Sequence, residues 1–144
     1  MIDTKDKYVQ LGLIAGGIYL GYKAISWLIG KATAVQQAEN EVRKLVSQGM
    51  KATYPDSTYS QYATAIYSAG FNTLGTDEKS IYDIFSKMQN DLDLVKLIAA
   101  FGEQRVEFSF QSLPLGSWLR TELDYSEMAT VNKIISDKKI KYQL

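Results

Sequence analysis

The chain has 144 residues, 16 of them Lys or Arg and 16 Asp or Glu, which is room for one domain with a short appendage and leaves no net charge to attract nucleic acid. It contains no histidine and no cysteine. Disulfides, thiol chemistry, histidine acid–base catalysis and nearly every zinc, copper or haem site are thereby excluded, and no metal or other cofactor is expected.

Residues 1–7 form a polar N-terminal tail, and residues 8–30 a run whose one charge is Lys23. As a helix this run rises about 34 Å, enough for a hydrocarbon core of about 30 Å, so it is read as a single transmembrane helix and the lipid bilayer as a partner. Two other readings remain open. Lys5 and Lys7 ahead of the run and Ala32-Thr33-Ala34 after it fit a signal peptide, and an apolar stretch interrupted by a lysine also fits a buried soluble helix. If the run spans, Gly12 and Gly16 form one small-residue stripe and Gly17 and Gly21 a second. Lys23 falls on the first stripe, and Leu11, Ile14, Ile18 and Tyr22 fill the remaining arc. Two stripes point to a helix packed against more than one protein neighbour, because glycine costs a helix about 1 kcal/mol relative to alanine. The flanking charges are too evenly balanced to orient the span.

Residues 31–53 read as an amphipathic stalk helix with Val35, Ala38, Val42, Leu45 and Gly49 on its apolar stripe. Two heptads are too few for a coiled coil, so the partner of this helix is the following domain or another subunit. Pro55 breaks the chain, and Asp56 or Ser57 caps the next helix. Residues 54–144 then read as a small helical domain of about five short helices. Tyr59, Tyr62, Ala63 and Ile66 make one stripe, closed by Gly70 as a left-handed cap. Thr76 caps a helix whose first turn carries Asp77 and Glu78, acids at the positive end of the helix dipole. Asn90 or Asp91 starts a helix closed by Gly102, Pro114 opens one through Trp118, Leu119 and Leu123, and Ser126 caps the last. Val106, Phe108 and Phe110 alternate with polar residues, as do Ile140, Tyr142 and Leu144, which predicts a two-stranded ribbon between that segment and the C-terminus. The fold class is mainly α.

Leu74-Gly75-Thr76-Asp77-Glu78, with Ile81-Tyr82-Asp83-Ile84 and Ala99-Ala100-Phe101, resembles the core of an annexin repeat. The resemblance implies a calcium-binding loop, with a further carboxylate about 40 residues on, but Thr73 stands at the first glycine of the motif and Leu115 at the carboxylate position. The motif is therefore read as a helix cap formed by Gly75, Thr76, Asp77 and Glu78. Over residues 60–144 the chain also resembles a small helical domain of bacterial and phage proteins. Gly75 to Glu78, Ile81-Tyr82, Phe101-Gly102, Leu119 with Glu122-Leu123, Val131-Asn132 and Lys139-Ile140-Lys141-Tyr142 carry that likeness. It implies an accessory domain of envelope or virion proteins, without catalytic residues.

The function expected is that of a non-enzymatic structural protein. It is a membrane anchor whose domain docks on other membrane or capsid proteins, in a lipid-containing phage virion or a bacterial envelope complex, with no nucleic acid and no small-molecule substrate. One alternative is a peptidoglycan-cleaving enzyme working through carboxylates, for which Glu78, Glu103, Glu107 and Glu122 are the candidates. The other is a peptide- or glycan-binding module using Tyr54, Tyr59 and Tyr125.

Overall fold

A computed structural model describes residues 34–71 and 74–144. The run at 8–30, with Gly12, Gly16, Gly17, Gly21 and Lys23, lies outside the described residues. So do the signal-peptide reading and the start of the stalk. Among the described residues no helix is long and apolar enough to cross a membrane.

The described chain forms six helices and a two-stranded sheet, in the order α1 (Ala34–Ser47), α2 (Asp56–Gly70), α3 (Glu78–Ser86), α4 (Asp91–Phe101), β1 (Glu103–Arg105), β2 (Ser112–Pro114), α5 (Leu115–Glu122) and α6 (Tyr125–Asp137). The mainly helical class holds. The most apolar helix, α4, is at the centre, with Leu92, Leu94, Val95, Leu97, Ile98 and Phe101 all buried. Helices α1 and α2 pack against it, α3 packs on α2 and α6, and α5 sits beside the ribbon. Ala38 and Leu45 of the predicted α1 stripe are buried against this core, and Val42 is half-buried.

Helix α1 ends at Ser47, six residues before the predicted boundary at Thr53. Gly49 is not part of the apolar stripe: at φ 88° it makes the left-handed turn that returns the Met50 N–H to the Leu45 carbonyl at 3.1 Å. Gly70 is the reverse case. It is the last helical residue of α2 rather than a left-handed cap, and its hydrogen side faces Trp118, where a Cβ would come within 2.3 Å of the indole.

Hydrogen bonds fix the direction of each helix. The Asn90 side-chain amide donates to the Lys51 carbonyl at 2.9 Å, so the chain leaving α1 lies at the start of α4 and the two helices run antiparallel. The Tyr54 hydroxyl donates to the Lys87 carbonyl at 2.8 Å, bringing the start of α2 and the end of α3 to the same place. The opposite end of the bundle therefore holds the start of α1, the end of α2, the start of α3, the end of α4, the ribbon and α5.

The ribbon is not the one predicted. β1 pairs antiparallel with β2, Glu103 opposite Pro114 and Arg105 opposite Ser112. The C-terminus is no strand: Ile140, Tyr142 and Leu144 are buried in the core cluster. Asn132 holds Leu144 by two hydrogen bonds of 2.8 Å, one donated to and one accepted from its backbone. The Lys141 N–H donates to Asp91 at 2.8 Å and the Tyr142 hydroxyl to Glu41 at 2.6 Å. Alternation here reflects a tail that presses every second side chain inward without a neighbouring strand.

Candidate functional site

At the ribbon end, the chain is closed by aromatic packing around Trp118. This indole is fully buried, 5.3 Å from the Phe101 ring and 5.6 Å from the Tyr67 ring by centroids. Its Nε1 donates to the Arg105 carbonyl at 3.2 Å, which ties α5 to the first strand of the ribbon. Tyr67 in turn stacks on Phe71 at 4.7 Å.

The predicted cap motif lies beside this cluster. Gly75 has φ 105°, a conformation that glycine adopts without strain, and a Cβ there would meet open space. Thr76 is not the cap: its hydroxyl donates to the Glu122 carbonyl at 3.3 Å, which fastens the loop to α5. Asp77 caps α3 instead, accepting from the Ser80 N–H at 3.1 Å and the Ser80 hydroxyl at 2.6 Å. These two bonds hold its carboxyl below the ordinary value. Glu78 is the first residue of α3, as an acid at a helix start should be. Asp124, not Ser126, caps α6 and forms a reciprocal capping box with Glu127. Neither Asp56 nor Ser57 makes a side-chain cap on α2, whose capping position is Pro55.

Beyond the packed cluster the same end presents apolar side chains to solvent. Phe108 and Phe110 are fully exposed at the turn between β1 and β2, with Phe108 at φ 58°, and Leu74 and Phe71 are exposed in the α2–α3 loop. The Arg105 guanidinium lies 6.0 Å from the centre of the Phe110 ring. The predicted strand through Val106, Phe108 and Phe110 is thus a hairpin tip, and only Val106 turns toward the core. Exposed large apolar side chains at one end of the bundle make it a candidate contact surface.

Of the carboxylate candidates, Glu107 lies close enough to Glu122 for its charge to add to the desolvation that raises the Glu122 carboxyl. Glu103 and Glu107 are exposed on the ribbon, and Glu78 stands at the helix start. Glu122 is half-buried, and its carboxyl is raised by desolvation first and by the nearby Glu107 charge second. Among the described residues no cluster of three or more acids could hold a metal ion. Leu115, at the position of the annexin carboxylate, is fully buried. Of the tyrosines proposed as a binding face, Tyr125 is exposed, Tyr54 is half-buried and Tyr59 is buried, so the three form no common surface.

Tyr59 instead serves a buried carboxylate that the sequence did not single out. Asp93 is 0% exposed and accepts four hydrogen bonds. Its Oδ1 takes the Thr53 N–H at 2.8 Å and the Tyr59 hydroxyl at 2.5 Å, and its Oδ2 takes the Thr53 hydroxyl at 2.6 Å and the Gln89 N–H at 2.8 Å. Burial alone would raise the carboxyl, but the bonds from Thr53, Tyr59 and Gln89 outweigh it and hold it below its ordinary value. The Tyr59 phenol is pushed up by burial and by its bond to this carboxylate. With every acceptor position filled, Asp93 is a structural joint between the α1–α2 loop, α2 and α4. The Asn90-x-x-Asp93 spacing signals a helix start, and its burial depends on residues 34 and 40 positions away.

Beside this joint is a groove of about 290 Å³ lined by Glu39, Val42, Asp56, Tyr59, Lys96 and Ala99, among others. Lys96 is committed there, paired with Asp56 and lying 5.6 Å over the Tyr59 ring. No protein-family model, no curated protein and no solved structure matches the chain. The apolar ribbon end is the candidate site.

Proposed function

We propose that this chain is a non-enzymatic structural protein, in which residues 8–30 cross a membrane once and the helical bundle docks on protein neighbours beside it. The observation that carries this reading is the junction. Only residues 31–33 separate the nearly uncharged run from Ala34, the first described residue of a helix packed along the central helix of the bundle. An anchor so joined holds the bundle close to the bilayer surface. Support also comes from Asp93 and Asp91, buried acids that are occupied by structural hydrogen bonds. The likeness to small domains of bacterial and phage proteins favours a bacterial envelope complex or the membrane of a lipid-containing virion as the location.

Alkaline carbonate extraction of membranes carrying the full chain tests the anchor: retention in the pellet is expected, and release into the supernatant refutes it. Gly16→Leu with Gly17→Leu tests the packing faces. The double variant should stay in the membrane yet fail to enter its assembly, and normal incorporation overturns the docking role of the span.

A second reading has one observation behind it, the raised carboxyl of Glu122 beside Glu107. Clearing of a cell-wall gel by the full chain, abolished by Glu122→Gln, would replace the structural reading with an enzymatic one. The expected result is no clearing.

A further inference from the structure

We infer that the hairpin tip carrying Phe108 and Phe110 inserts into the interfacial region of the same bilayer that residues 8–30 enter, so that the bundle rests on the membrane by its ribbon end. This inference rests on the membrane-anchor reading above and adds the orientation of the domain and the residues that touch lipid.

Three observations converge. First, the direction of α1 brings its start to the ribbon end. The residues that follow α1 are bound at the start of α4 through the Asn90–Lys51 and Asp93–Thr53 hydrogen bonds, and Glu39 and Val42 share a groove with Lys96, Ala99 and Ala100 farther along α4. Fourteen residues of α1 rise about 21 Å, more than the roughly 16 Å of α4, so Ala34 reaches the level of the α4 C-terminus, where the ribbon begins. Second, the four backbone steps from Gly30 to Ala34 can reach at most about 14 Å, so a span ending at Gly30 keeps that end near the headgroups. Third, that end bears the exposed large apolar side chains Phe108, Phe110, Leu74 and Phe71, whereas of such side chains the far end bears only the half-exposed Val46 among the described residues. The far end bears Lys51, Lys87, Lys139 and Lys141.

Phenylalanine is well suited to this position because its ring is apolar and carries no group that must be hydrogen-bonded. The neighbouring charges select the lipid. Glu103 and Glu107 share the ribbon with Arg105, so the surface is not one that anionic headgroups would attract, and zwitterionic phosphatidylcholine is the appropriate probe.

The absence of cysteine from the sequence allows a direct test on the full chain, reconstituted into phosphatidylcholine vesicles and labelled at one introduced cysteine with an environment-sensitive fluorophore. Gln111→Cys reports the hairpin tip, Lys51→Cys the far end and Ile14→Cys the span. Interfacial residues lie roughly 5–10 Å into the headgroup and acyl boundary, so brominated lipid should quench the label at 111 by about half and leave the label at 51 unchanged. The label at 14 should be quenched most by bromines deep in the chains. Adding Phe108→Ser and Phe110→Ser should return the signal at 111 to the level seen at 51. A quenched label at 14 with an unquenched label at 111 overturns the inference and leaves the anchor standing. An unquenched label at 14 overturns the anchor and the inference with it. Quenching at 111 that survives loss of both phenylalanines overturns their assignment as the lipid contact.

Discussion

Asp93→Asn is the most searching perturbation of the bundle, because it preserves shape and removes only charge and one acceptor. Each carboxylate oxygen takes one backbone N–H, Oδ1 from Thr53 and Oδ2 from Gln89, both at 2.8 Å. An asparagine amide has one oxygen, so either orientation turns its NH2 group toward a backbone N–H. One main-chain donor loses its partner, which costs about 1–3 kcal/mol, and the bonds that survive lose their charge assistance. Release of a buried charge offsets part of this. The expected net loss is about 2 kcal/mol, and Asp93→Ala should lose more. Tyr59→Phe leaves the carboxylate three donors but also removes the acceptor of the Tyr54 N–H, and should cost about 1–2 kcal/mol. Urea unfolding of the full chain in mild detergent, followed by Trp118 fluorescence in a Trp27→Phe background, measures the effect. With a urea dependence of about 1–3 kcal/mol per molar, the midpoint of Asp93→Asn should fall by about 1 M. The pH dependence supplies a second check. The folded-state carboxyl is held below its ordinary value of 3.8, so its contribution is complete above that value and is lost as pH falls through the folded value. Wild type and Asp93→Asn should therefore differ at pH 7 and converge in acid. Coincident midpoints at pH 7, or a gap that persists unchanged into acid, would refute the reasoning.

Gly70→Ala should destabilise by about 1–3 kcal/mol, opposite in sign to the usual gain from replacing a helical glycine, because Trp118 is held by its bond to Arg105 and cannot yield to a new Cβ at 2.3 Å. A thermal melt decides the sign, and a raised midpoint would contradict the packing. Asn132→Ala removes both hydrogen bonds to Leu144 and should cost about 1–2 kcal/mol. Its more telling readout is faster amide exchange at residues 140–144 than in α6, and uniform exchange across both would show that the tail is held by its buried side chains instead.

Helix existence was largely legible in the sequence. The three-four spacing of Ile81, Ile84 and Phe85, and of Leu94, Leu97, Ile98 and Phe101, predicts the buried faces of α3 and α4, and all seven side chains are buried; Met88, next on the first stripe, is buried just past the end of α3. Asn90 and Gly102 bound α4 as expected, since a cap is a local hydrogen bond and a φ of 62° a local preference. Where two polar residues competed for one cap, local reasoning chose wrongly. Thr76 and Ser126 lost to Asp77 and Asp124, and in Thr76 the hydroxyl was drawn to Glu122, a partner 46 residues away.

The sequence alone determined the helical class, the charge-poor run at 8–30 and most core faces, because these follow from composition and from periodicities within a turn or two of chain. Tertiary structure alone decided that alternating phenylalanines form an exposed hairpin tip and alternating tail residues a buried strap, since period-two patterns do not say which neighbour, if any, supplies the other face. It alone decided that Gly70 gives way to an indole and that Asp93 is an interior joint. In each of these the deciding partner is brought close by folding, and no spacing along the chain records it.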